Sequence, residues 1–112
     1  MLLSQSINSY FNQNQKVVLL SIVQTAIKSR PRKSVKLFVV YGSYLNLCRR
    51  VRVRCLDESE FWTELKVIEL AGFIKTRVDS IGNIGVSGHS LEEIEDAIYE
   101  DSTFENLKGE SQ

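Results

Sequence analysis

The chain has 112 residues, 43% apolar and 25% charged, with one proline, two cysteines and a formal net charge of zero. That suits a single domain able to bury roughly two-thirds of its unfolded surface. It excludes intrinsic disorder, a bilayer span of about 18 apolar residues and a disulfide-stapled scaffold. Met1-Leu2-Leu3 is followed at once by Ser4-Gln5-Ser6, which has neither the charged start nor the apolar length of a secretion signal. A small soluble intracellular domain is expected.

Residues 1–12 are rich in Ser, Asn and Gln and are expected to form a flexible N-terminal segment. From Asn14 onward, Val17, Leu20, Val23 or Gln24, and Ile27 recur at helical spacing. Pro31 ends that helix, because the residue before a proline disfavours the α region. Val35-Lys36-Leu37 reads as a short extended piece. Phe38, Tyr41, Tyr44, Leu45 and Cys48 then mark one face of a second helix, with Gly42 inside it at a cost of about 1 kcal/mol. Asp57 and Glu60 have capping-box spacing and open a third helix, faced by Phe61, Leu65, Ile68 and Ala71, for which Gly72 is a suitable stop. Residues 73–78 alternate like a strand, and residues 83–87 are expected to pair back on it through the turn chemistry of Asp79-Ser80-Ile81-Gly82. Ser90-Leu91-Glu92-Glu93 is a second capping box, and Leu91, Ile94, Ala97 and Ile98 give the helix after it an apolar face. Past Asp101 the periodicity fades, so residues 102–112 are expected to be an acidic, disordered tail.

Helix, short strand, helix, helix, hairpin is the order of a winged helix. The expected fold is mainly α with a small β-hairpin: a helix-turn-helix whose third helix leads into a two-stranded wing, occupying residues 13–101.

Three segments carry a resemblance to a family. Tyr44-Leu45-Asn46-Leu47-Cys48-Arg49 resembles a Tyr-x-x-x-Cys segment at the end of a second helix. Leu65-Lys66-Val67-Ile68-Glu69-Leu70-Ala71-Gly72-Phe73-Ile74 is similar to a leucine, apolar, Glu, two residues, Gly, two apolars passage where a third helix enters a wing. Glu93-Ile94-Glu95-Asp96-Ala97-Ile98 is similar to a Glu-Ile-Glu-x-Ala closing helix. In this order they resemble the C-terminal winged-helix domain of the replication initiators that comprise cell division control protein six and the largest subunit of the origin recognition complex. The closing segment and the acidic tail tilt the likeness toward the former. The resemblance implies marking of replication origins and helicase loading in the nucleus, with duplex DNA, the origin recognition complex and replicative helicase subunits as partners. Family members carry an AAA+ ATPase module ahead of this domain. No G-x-x-x-x-G-K-[ST] phosphate loop occurs here, so the chain is expected to be the C-terminal piece, a non-enzymatic module without a cofactor.

The zero net charge hides a segregated distribution. Nine basic residues and no acidic one fall between Lys28 and Arg54, whereas all fourteen acids lie from Asp57 onward. Phosphate contacts by Lys and Arg give DNA affinity without sequence selectivity. The expected DNA-binding residues are Arg49, Arg50, Arg52 and Arg54, Arg30, Arg32 and Lys33 in the earlier loop, and Lys75 and Arg77 on the wing. The third helix holds five acids against Lys66 and is ill suited to the major groove that such a helix ordinarily enters. Glu58, Trp62 and Glu64 are instead candidate partner contacts, since charge complementarity orients docking. A docking winged helix without DNA affinity of its own is the alternative function.

The other tempting residues favour structure over chemistry. His89 has no evident nucleophile and acid beside it. Cys48 and Cys55 lack a second ligand pair for zinc, and Cys48 is expected to pack on the core face of the second helix. Gly82, Gly85 and Gly88 lack the strand-loop-helix setting of a phosphate cradle and are expected to shape the wing. Arg30-Pro31-Arg32-Lys33 has the composition of a nuclear-import signal.

Overall fold

The computed structural model of the chain describes residues 3–29, 34–82, 84 and 88–110. Among these are six helices and a small sheet. In chain order they are α1 (Leu3–Tyr10), α2 (Gln13–Lys28), β1 (Ser34–Lys36), α3 (Leu37–Val51), α4 (Glu58–Leu70), β2 (Lys75–Thr76), β3 (Ser80–Gly82), α5 (Leu91–Tyr99) and α6 (Ser102–Glu110). The three strands form one antiparallel sheet in the order β1-β3-β2, on which α2, α3 and α4 pack. This mostly helical architecture is the winged helix expected from the order of elements.

Helix α2 is the centre of the core. Asn12 caps it reciprocally with Gln15, and Val17 to Val23 are buried on every side, as a helix without a solvent face requires. It packs against α3 and α5. Each large side chain withdrawn from water there contributes about 1.5 to 3 kcal/mol. The capping boxes expected at Asp57/Glu60 and Ser90/Glu93 both form, opening α4 and α5. Gly72 follows α4 with φ +93°, a left-handed conformation for which glycine pays no Cβ penalty.

Four local expectations need correction. The first concerns residues 1–12: Leu3–Tyr10 is helical, and Ile7 and Phe11 are buried against the core, with α1 packed on α5. Two apolar anchors four residues apart suffice to dock this otherwise polar segment. The second concerns the tail. Residues 102–110 form α6, with Phe104 and Leu107 buried, and the buried Lys16 holds Asp101 at 2.6 Å where the helix begins. Ser111 and Gln112 lie outside the described residues.

The third is Phe38, which is 74% exposed; the buried face of α3 is Val40, Tyr44, Leu47 and Cys48. The fourth is the register of the wing. Ile81 is fully buried and pairs with both Val35 and Thr76, so Ser80–Gly82 is the returning strand and not the turn. The turn is Arg77-Val78-Asp79, closed by the Arg77 N–H donating to the Ser80 carbonyl at 2.8 Å. Of the residues expected to return, Asn83, Gly85, Val86 and Ser87 lie outside the described residues.

Candidate nucleic-acid and partner interface

Among the described residues, the fold holds the arginines at and beyond the last turn of α3 at one end of that helix and the wing cations at the other. Arg49 and Arg50 occupy the last turn of α3, where cations interact favourably with the helix dipole. Arg52 follows in the left-handed conformation, φ 58° and ψ 41°, with its N–H donated to the Cys48 carbonyl. The next stretch is held in place by Asn14, whose side-chain amide donates to the Arg54 carbonyl at 3.0 Å. Tyr44 finishes the link: its hydroxyl donates to Asn14 Oδ1 at 2.7 Å and accepts the Leu56 N–H at 3.0 Å. Burial pushes the Tyr44 hydroxyl well above its ordinary value. Arg49, Arg50, Arg52 and Arg54 are all exposed. Arg54 reaches Glu60 at 3.1 Å, but both side chains are largely in water, and such a pair contributes about 1 kcal/mol at most.

The wing lies at the other end of α3. The first N–H of that helix, from Leu37, donates to the Asp79 carbonyl in the wing turn at 3.1 Å. A helix of 15 residues is roughly 22 Å long, so the arginines and the wing form two basic clusters and not one. Lys75 and Arg77 are exposed, as is Lys36 on β1. Lys75 belongs to β2, whereas Arg77 stands just past it at the turn. Glu69 fixes this corner: its carboxylate accepts the Thr76 N–H at 2.6 Å and faces Lys66 at 3.4 Å. The Thr76 N–H, outweighing partial burial and aided by Lys66, holds the Glu69 carboxyl below its usual value. Arg30, Arg32 and Lys33 lie outside the described residues.

Helix α4 presents Glu58 and Glu60 to solvent, with Lys66 further along. Trp62 is half-buried, with the Lys66 ammonium 4.9 Å from its ring centroid. Glu58 and Trp62 line one groove of ≈ 580 Å³ with Leu37, Phe38, Tyr41 and Phe61. Glu64 is not part of it; one of its carboxylate oxygens is enclosed and has no hydrogen-bond partner among the described residues. The sequence-predicted partner contacts are therefore two residues of one groove and a third elsewhere. Phe38 and Tyr41 were missed because their helical spacing placed them in the core, and Leu37, which opens α3, because it read as part of a short extended piece.

Cys48 is buried and Cys55 exposed, and burial raises the Cys48 thiol to about 11. His89 sits in solvent, 3.1 Å from Glu93. Among the described residues no cluster of His, Cys, Asp and Glu is arranged to hold a metal ion, and no helix is long and apolar enough to cross a membrane.

Comparison with known proteins gives the architecture a lineage. The crystal structure of Cdc6p from Pyrobaculum aerophilum superposes on this chain with a TM-score of 0.71 and 24% identity. The match covers 87% of this chain but 25% of that one, so this chain spans about a quarter of the length of that protein. No curated protein matches the chain. The family model described as CDC6, C terminal winged helix domain, matches residues 7–100. Helices, wing and sequence together place the chain in the family of CDC6 C-terminal winged helix domains.

Proposed function

We propose that this domain serves a DNA-replication initiator, binding origin DNA largely through phosphates and docking the proteins that load the replicative helicase. The observation that carries the DNA arm is the exposed cluster Arg49, Arg50 and Arg52 at the C-terminal end of α3. Lys75 and Arg77 on the wing add a second set of cations. Contacts of this kind position a protein on a duplex without specifying sequence. The exposed carboxylates of Glu58 and Glu60 in the first turn of α4 argue against insertion of that end of the helix into a groove lined by phosphates. The domain contributes binding, and ATP hydrolysis in such an initiator belongs to an AAA+ module outside this chain. In a eukaryotic cell this work is nuclear, with the origin recognition complex and helicase subunits as partners.

A second reading, docking without DNA affinity, is favoured by the carboxylates of α4 and the groove beside them. Retention on immobilised duplex DNA at moderate salt separates the two. Retention that is lost on replacing Arg49, Arg50 and Arg52 by alanine supports the first; free flow-through at low salt refutes it and leaves docking.

A further inference from the structure

We infer that the groove between α3, α4 and the wing turn is a docking site for a basic peptide segment carrying an aromatic or bulky aliphatic anchor. This rests on the docking arm of the proposed function and gives that arm a surface and a ligand chemistry. The apolar lining of the groove is Leu37, Phe38, Tyr41, Phe61 and Trp62. Phe38 leaves 74% of its surface in water among these other apolar lining residues. Grouped exposed apolar side chains mark interaction surfaces more often than scattered ones do. The volume of ≈ 580 Å³ falls within the roughly 300 to 1,000 Å³ of ligand-holding clefts. An anchor ring in the groove would find aromatic side chains among its lining residues.

Charge selects the occupant. Glu58 and Asp79 border the groove against Lys36, and Asp57 stands beside Glu58 at the start of α4. Burial, and then the carboxylates of Glu58 and Asp57, raise the Tyr41 hydroxyl above its ordinary value, as expected where both carboxylates stand near it. At that end, beside Glu58 and Asp57, a basic side chain gains and an acidic one is repelled.

Trp62 is the single tryptophan of the chain, so its emission reports occupancy directly. A display library of random peptides of about twelve residues, selected on this chain, should enrich sequences in which Arg or Lys flanks Phe, Leu or Trp. An enriched peptide should shift Trp62 emission and bind about tenfold more weakly to Phe38→Ala, a change at an exposed side chain that opens no cavity. Glu58→Lys should weaken basic peptides further. No enrichment, an acidic or uncharged consensus, unchanged Trp62 emission, or affinity that survives Phe38→Ala would each overturn the assignment. No DNA enters the selection, so loss of duplex binding leaves its result intact. Docking of a helicase subunit that persists in Phe38→Ala would overturn the groove while leaving the docking arm standing.

Discussion

Replacing Asp101 by asparagine isolates the ion pair that ties α2 to the junction of α5 and α6. Lys16 is 5% exposed, and its ammonium donates to Asp101 Oδ2 at 2.6 Å. The other carboxylate oxygen accepts the Thr103 N–H at 2.9 Å. Asparagine keeps an acceptor for Thr103 but removes the charge and sets an NH2 donor where Oδ2 accepted from Lys16, stranding a buried ammonium. Removing one partner of such a pair costs about 3 kcal/mol, which for a domain of this size lowers Tm by roughly 12 °C. Lys16→Met in the same background takes the stranded charge away and should restore most of the loss. The pH dependence has a definite sign. Burial would raise the Asp101 carboxyl, but Lys16 and the Thr103 N–H outweigh it and hold it below the ordinary 3.8. The stabilisation is therefore complete above that value and is lost as pH falls through the depressed folded value. Chemical denaturation at neutral and acid pH measures both effects. An Asp101→Asn protein within about 0.5 kcal/mol of the parent, or a double variant as unstable as the single one, would refute the reasoning.

Three further changes probe other parts of the scaffold. Tyr44→Phe leaves the Leu56 N–H and Asn14 Oδ1 without their partner and should cost about 2 kcal/mol in urea unfolding. Gly42→Ala places a methyl group where nothing lies within 4 Å in an exposed stretch of α3, and should stabilise by about 1 kcal/mol, raising Tm by roughly 4 °C. Glu69→Gln loosens the wing: hydrogen exchange at the Thr76 amide should quicken about tenfold. In the parent, protection there should fall only when pH drops through the depressed Glu69 value.

Helix ends were the most legible part of the sequence. A cap is a local contract between residues three apart, so Asp57/Glu60 and Ser90/Glu93 could be read without knowing the fold. Faces and registers depend on what packs where, and here spacing misled. Phe38 shares the period of Tyr41, Tyr44 and Cys48, yet the core meets α3 along Val40, Tyr44, Leu47 and Cys48, which turns Phe38 outward. Ser80–Gly82 has turn composition, but burial of Ile81 between its two partners made it a strand. Helices α1 and α6 were hidden by polar composition. The spacings of Ile7 with Phe11 and of Phe104 with Leu107 were the signals available, two anchors each. Of the described members of the basic block, Lys36 precedes α3 and Arg49, Arg50, Arg52 and Arg54 stand at or beyond its last turn, a separation that sequence proximity does not reveal.

Fluorescence anisotropy of labelled duplex DNA across a salt series tests the central claim most directly. If Arg49, Arg50, Arg52, Lys75 and Arg77 each neutralise one phosphate, log K should fall against log salt with a slope of about −4.5. Alanine at the three arginines should flatten it by about 2.7, and alanine at Lys75 and Arg77 by about 1.8. No binding at low salt, or a slope unchanged by either set, would contradict the account.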